Sequence, residues 1–175
     1  MRLCSSYTNL NPLVLLFLGV ISIASYAADK PKGRVILTVS GAINTSNSEQ
    51  ESAFDLAMLE TLPQHFITTH NPWTKGIHTY QGFSAADLLK QLGSTATFLQ
   101  VTALNEYMTE IPLSDFTENG AILATHLDGK PMSVRNLGPI MVIYPFDERE
   151  ELKSEIFYGR SIWQIDRIIA IVVTE

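Results

Sequence analysis

The stretch AILATHLDGKPMSVRNLGPIMVIYP, residues 121–145, places two apolar runs on either side of a polar centre. Residues 121–124 predict a buried strand, and residues 140–144 are apolar on both faces, which is typical of a central strand. Residues 128–131, DGKP, supply the glycine and proline that turns favour. Pro145 ends the second strand because proline cannot donate a hydrogen bond to a neighbouring strand. The stretch therefore predicts two buried strands joined by a polar loop.

Short helix-like and strand-like segments make up the rest of the chain. Residues 85–92 predict a helix with Ser84 as its N-cap. Residues 52–59 also have helical spacing, with Ser52 as the cap, and Ser114 predicts the cap of a further helical turn. The predicted strands cover residues 34–40, 64–69, 77–81, 98–104, 108–112 and 165–173. Short strands with a few short helices predict an α+β domain.

The N-terminal residues 1–27 predict a cleavable signal peptide. Residues 13–24 form an apolar core that is short for a membrane span, and residues 25–27, SYA, fit the small-x-small cleavage rule. An uncleaved membrane anchor is the alternative. We therefore expect an exported, periplasmic protein with a flexible lead-in at residues 28–33 and a single domain over residues 34–175.

Composition and charge narrow the function classes. The chain carries 12 Lys and Arg against 18 Asp and Glu, a net charge of −6. No basic stripe is visible, which argues against nucleic acid as a partner. The one cysteine, Cys4, lies within the predicted signal peptide. We therefore expect an exported domain without a disulfide or a thiolate.

Known catalytic and metal-binding motifs are absent from the sequence. It contains no glycine-rich phosphate-binding loop, no nucleophile elbow and no HExxH zinc motif. Its four histidines share no metal-ligand spacing on one helix, so the sequence predicts no metal site; a zinc site gathered in three dimensions is the alternative. The acidic segment 147–155 lacks the pattern of a calcium loop and predicts a solvated face, with partner docking as the alternative.

Several polar and aromatic residues lie in predicted loops or at strand ends. They are His70, Asn71, Trp73, Asn105, Tyr107 and Arg135. If these loops converge, they form a mostly neutral pocket with one guanidinium that suits a phosphate or carboxylate. Such a pocket favours a small polar or anionic ligand over acid–base chemistry. Trp163, in the run IWQI, is expected in the core.

Four segments of the chain resemble a small exported branch of the sulfite-oxidase-type molybdopterin-binding domain family. They are FITTHNPWTKGIHTYQGFSAADLLKQLG, VTALNEYMTEIP, ILATHLDGKPMSVRNLGPIMVIYPFDE and SEIFYGRSIWQIDRIIAI, and the likeness covers about residues 34–173. The resemblance implies a mixed α+β fold with a curved sheet. It also implies a cofactor cleft lined by Thr69, His70, Asn71, Trp73, Asn105, Tyr107 and Arg135.

The sequence departs from catalytic members of that family at the expected metal position. Catalytic members hold molybdenum through a cysteine thiolate in a loop that aligns near residues 69–71, and they surround the pterin phosphate with several cations. Here the loop has no sulfur, and the nearby cations are Arg135 and Lys75. Threonine and imidazole are poor replacements for a soft thiolate ligand. Molybdopterin is thus the cofactor that the resemblance implies, but the sequence predicts neither a molybdenum ligand nor a catalytic residue.

Two functions follow from this comparison. We expect a binding module for a small ligand, or for a membrane-bound sensor or redox partner protein. The alternative is a periplasmic molybdopterin-dependent oxidoreductase in which His70 or Thr69 takes the metal position.

Overall fold

The computed structural model of the chain describes residues 30–47 and 50–173, so the predicted signal peptide with Cys4 lies outside the described residues. The strands are β1 (Val35–Gly41), β2 (Glu51–Asp55), β3 (Gln64–Thr69), β4 (His78–Phe83), β5 (Phe98–Ala103), β6 (Met108–Pro112), β7 (Ile122–Leu127), β8 (Lys130–Pro131), β9 (Met141–Ile143) and β10 (Ile165–Ile171). The helices are α1 (Leu56–Leu59), α2 (Ala85–Gln91), α3 (Ser114–Thr117) and α4 (Glu155–Arg160), with 3-10 turns at Val134–Asn136 and Glu150–Leu152.

The strands divide between two five-stranded sheets. The first has the order β2-β1-β10-β5-β6, in which β1 and β10 run parallel and the other neighbours are antiparallel. The second has the order β3-β4-β7-β8, with β9 also paired to β7, and all its pairs are antiparallel. The parallel pair makes the first sheet mixed, and the short helices complete the predicted α+β fold.

The two apolar runs of the 121–145 stretch pair with each other in the second sheet. β7 lies inside that sheet, whereas β9 pairs with β7 alone among the described strands, so the expected central position of residues 140–144 is wrong. β7 and β9 pair directly, with Leu123 opposite Val142, and neither side chain is exposed. A strand that is buried on both faces has an unbroken run of apolar residues in its sequence, so the two predicted buried strands are confirmed. Within the described ranges, no helix is long and apolar enough to span a bilayer.

A buried polar cluster joins α3 and α4 to Tyr144, the residue that follows β9. The Asp115 carboxylate is almost fully buried and accepts hydrogen bonds from the Tyr144 hydroxyl at 2.7 Å, the Arg160 guanidinium at 3.1 Å and the Asn119 amide at 3.0 Å. Burial, and then the neighbouring Asp115 charge, raise the pKa of Tyr144 far above its ordinary value. The buried carboxylate is therefore fully partnered, as a buried charge must be.

The predicted helix over residues 52–59 is wrong in its first half. Ser52 donates its hydroxyl to the Thr45 carbonyl, and the backbone of Ala53 pairs in both directions with the Asn47 amide. These bonds and the pairing with β1 hold β2 extended, so tertiary contacts override local spacing. The helix begins only at Leu56, where the Asp55 carboxylate caps it by accepting the Met58 N–H.

Asp55 also fixes the end of the predicted lead-in, because its carboxylate accepts the N–H groups of Lys32 and Gly33. These three backbone donors lower the pKa of Asp55, with Met58 contributing most.

The other two predicted caps have opposite outcomes. Ser84 caps α2 by accepting the Ala86 N–H, which confirms that prediction. The prediction for Ser114 is wrong, because Ser114 is the first residue of α3 and its N-cap is Leu113, which makes no side-chain cap bond.

Candidate functional site

A cavity of about 370 Å³ opens between α4 and the turn that joins β5 to β6. Its wall consists of Trp73, Ala103, Asn105, Tyr107, Tyr158, Gly159, Ser161, Ile162 and Trp163. We call it the aromatic pocket, because four of these nine side chains are aromatic. Three of the predicted site residues, Trp73, Asn105 and Tyr107, meet here from two distant loops.

Trp73 stands at the centre of the ring cluster behind the pocket. Its ring centroid lies 5.7 Å from that of Trp163, 6.1 Å from that of Tyr158 and 6.4 Å from that of Phe146. Edge-to-face and tilted pairs at these distances are the favoured arrangements of aromatic rings. The loop after β3 is therefore anchored by its tryptophan against α4 and the segment before β10.

Asn71 sets the shape of the loop that carries Trp73. Its side-chain oxygen accepts the N–H groups of Trp73 at 3.0 Å and Thr74 at 3.1 Å, which is an Asx turn. Its amide nitrogen donates to the hydroxyl of Tyr80, a fully buried residue of β4, at 2.7 Å. Asn71 thus positions Trp73 and does not itself line the pocket.

The opposite wall is a tight turn between β5 and β6. The Asn105 side chain accepts the Tyr107 N–H at 3.1 Å, and Glu106 adopts the left-handed conformation with φ of 65°. This turn projects Tyr107 outward, where 54% of the residue is exposed at the pocket mouth.

Thr69 and His70 join the end of β3 to the segment after β9. The Thr69 hydroxyl is buried; it donates to the His70 carbonyl at 3.0 Å and accepts the Asp147 N–H at 3.1 Å. The Asp147 carboxylate accepts the His70 N–H and contacts His70 Nδ1, both at 2.8 Å. These two contacts, the backbone one first, lower the pKa of Asp147. Neither Thr69 nor His70 lines the aromatic pocket.

Arg135 lies apart from the pocket. It is exposed on the 3-10 turn Val134–Asn136, which is held by the Gln164 amide donating to the Val134 carbonyl at 2.7 Å. It is not among the residues that line the aromatic pocket. The expected pocket with one cation therefore forms without its cation.

Sequence reasoning missed Tyr158, Ser161 and Trp163. The expectation that Trp163 belongs to the core is wrong, because 36% of it is exposed and it forms part of the pocket wall. The isoleucines at either end of the run IWQI suggested burial, but of these four residues only Ile162 and Ile165 enter the core. The polar residues that flank Trp163, Ser161 and Gln164, were the available signal.

The histidines do not gather into a metal centre. His65, His70, His78 and His126 each face a different carboxylate, those of Asp87, Asp147, Asp128 and Glu60. Among the residues that the structure describes, no three His, Cys, Asp or Glu side chains are placed to hold a metal ion.

Comparison with known proteins assigns the fold. The family model described as oxidoreductase molybdopterin binding domain matches residues 36–147. The chain belongs to this family. A search among curated proteins gave no match.

A solved structure shares the fold of this chain. The crystal structure of the sulfane dehydrogenase SoxCD from Paracoccus pantotrophus superposes with a TM-score of 0.52 at 13% sequence identity. The alignment covers 77% of this chain and 37% of that chain, so this member of the molybdopterin-binding family spans little more than a third of the SoxCD chain. At this identity the likeness shows the fold alone.

The residues at the expected cofactor positions of this chain do not fit molybdopterin, the cofactor in the name of the family. Residues 36–147 contain no cysteine, and the Thr69 hydroxyl and His70 Nδ1 at the expected metal position are already held by protein partners. The wall of the aromatic pocket contains no Lys, Arg or His among the described residues. A pterin phosphate buried there would lack a compensating charge.

Proposed function

We propose that the chain is an exported binding module that takes a small polar ligand without negative charge into the aromatic pocket and works without molybdenum. One observation carries the proposal: Trp73, Asn105 and Tyr107 converge on a cavity whose described wall has neither a thiolate nor a cation. Mostly apolar cavities of this size with a few convergent polar groups are the usual form of small-molecule sites. Fold does not carry activity across changed site residues.

The unmet hydrogen-bonding capacity of the wall supports a ligand site. Within the described chain, the indole N–H groups of Trp73 and Trp163 and the hydroxyls of Tyr107 and Tyr158 bond to no other residue. Asn105 uses its side-chain oxygen for the turn and leaves its amide N–H₂ without a described partner. Several donors around one aromatic cavity suit a ligand that offers acceptor oxygens.

Metal and pterin content test the first half of the proposal. The whole chain is expressed in a host that makes molybdopterin and purified from the periplasm, and the intact mass gives the mature N-terminus, expected at Ala28. We expect a folded protein with molybdenum far below stoichiometry by mass spectrometry and no pterin fluorescence after oxidation. A molybdenum enzyme produced in the same host is the control for cofactor supply. Near-stoichiometric molybdenum with pterin would instead favour the oxidoreductase alternative.

Intrinsic fluorescence tests the second half. The chain has two tryptophans, and both line the pocket, so a ligand that enters it changes the emission of the whole protein. We expect members of a library of small neutral and cationic compounds to change this emission and to raise the midpoint of thermal unfolding. A matched set of small phosphates and carboxylates is screened beside it, and the proposal would be contradicted if only these anions changed the emission and raised the midpoint.

A further inference from the structure

The rings of the aromatic pocket lie in different planes. The Trp73 plane is inclined by 52° to that of Trp163 and by 86° to that of Tyr158. A flat ligand such as a nucleobase or a pterin is best held between parallel faces, whereas rings in several planes around one cavity suit a compact, rounded group. The shape of the wall thus favours a tetrahedral head group over a planar one.

The charges around the pocket favour a cation. No basic side chain is among its described lining residues. Lys75, two residues beyond Trp73, is exposed and does not line the pocket, and two other basic groups close to the lining in sequence are paired elsewhere. Arg160, between the lining residues Gly159 and Ser161, is paired with the buried Asp115, and Lys153 is paired with Glu150 at 2.9 Å. The whole chain carries a net charge of −6. The lining therefore offers an anion no charged partner, while its four aromatic side chains can attract a cation.

We propose that the ligand of this pocket is a small methylated onium ion, a quaternary ammonium or sulfonium compound. Its methylated head would lie in the cavity against the wall that Trp73, Tyr158 and Trp163 form, with Tyr107 at the mouth. The unpartnered amide N–H₂ of Asn105 would donate to an oxygen on the other end of the ligand. This inference rests on the proposed function, because it names the ligand class of the same site.

Choline and its uncharged carbon isostere, 3,3-dimethyl-1-butanol, separate charge recognition from simple apolar burial. The full chain is titrated with each compound, and with tetramethylammonium, while the tryptophan emission is recorded. We expect choline to bind about tenfold more tightly than the isostere, since shape and hydroxyl are the same and the attraction of a cation to ring faces is lost. Equal affinity for the two compounds would overturn the onium assignment.

A matched pair of variants at Trp163 tests the ring itself. Trp163→Leu keeps an apolar side chain and removes the ring, and we expect it to weaken choline binding about tenfold; Trp163→Phe keeps a ring and should retain most of the affinity. Calorimetry replaces fluorescence for these variants, and thermal unfolding checks that both are folded. A Leu variant that binds choline as tightly as the parent protein would contradict the proposal.

The outcomes also separate this inference from the proposed function. If uncharged compounds bind the pocket and onium ions do not, the binding module remains and the onium assignment fails. If nothing binds and the purified chain instead carries molybdenum with pterin, both proposals fail.

Discussion

The Thr69 hydroxyl, at the expected metal position, forms hydrogen bonds within the protein. It is fully buried and satisfies two backbone groups, the His70 carbonyl and the Asp147 N–H. Thr69→Val keeps the shape and leaves both groups without a partner, so we expect the free energy of unfolding to fall by about 1–3 kcal/mol. Thr69→Ser, which keeps the hydroxyl, is the control, and urea unfolding measures both. Equal stability of the two variants would mean that the hydroxyl has no such role.

Some of the candidate site could be predicted residue by residue, and the reason lies in local chemistry. Trp73 and Tyr107 are large aromatic residues in polar loops, and Asn105 is of a type that tight turns favour. Their place in the site could therefore be predicted from their local sequence. Arg135 was also placed correctly in a polar loop, but the direction in which that loop faces depends on a long-range bond from Gln164. No local pattern contains that information.

Among the elements, β4 has a position where only glycine fits. Gly82 lies where β4 pairs with β7 at a shift of register, and an added Cβ would lie far closer to the Leu123 carbonyl oxygen than van der Waals contact allows. We expect Gly82→Ala to lower the free energy of unfolding by about 2 kcal/mol or more, because the two backbones must separate.

Gly159 in α4 offers the matched control for that prediction. A Cβ there meets no atom within 4 Å, so Gly159→Ala should be neutral or stabilise by up to about 1 kcal/mol. Urea denaturation of the two variants beside the parent decides between a site-specific clash and a general effect of replacing glycine. A Gly82→Ala variant as stable as the Gly159→Ala variant would show that β4 and β7 can shift apart without cost.

Elements with strong local signals were predictable, and elements that depend on partners were not. The apolar runs of β7 and β9 and the capped helix α2 need no distant contact to be recognised. Residues 52–59 have helical spacing in sequence, yet Asn47 and β1 hold the first half of this segment extended. The division of the strands into two sheets is likewise a property of pairing, which spacing along one strand does not encode.

At the scale of the whole molecule, the ion pair between His78 and Asp128 lies beside the loop that carries Trp73 and holds this loop to the second sheet. His78 of β4 contacts the Asp128 carboxylate through Nδ1 at 2.8 Å and the Lys75 carbonyl through Nε2 at 2.9 Å. Both neighbours are acceptors, so the imidazole satisfies both only when it carries two protons. The positive charge of Lys130 also acts on the Asp128 carboxyl and lowers its pKa further.

The pair predicts a pH window for the stability of the domain. The hydrogen bond to Asp128 is the main cause that raises the pKa of His78 above 6.5, so its contribution is complete below pH 6.5 and disappears as the pH rises through the raised pKa. The hydrogen bond from His78 lowers the pKa of Asp128 below 3.8, so its contribution is present above pH 3.8 and disappears as the pH falls through the lowered pKa. Both contributions therefore coincide between these two values. We expect His78→Gln to lower the midpoint of thermal unfolding most at about pH 5 and progressively less as the pH rises through the raised pKa of His78. Asp128→Asn removes the other member of the same ion pair, so its effect should also weaken as the pH rises through the raised pKa of His78. A His78→Gln effect that is constant from about pH 5 to about pH 9 would mean that the histidine acts through packing and not through its charge.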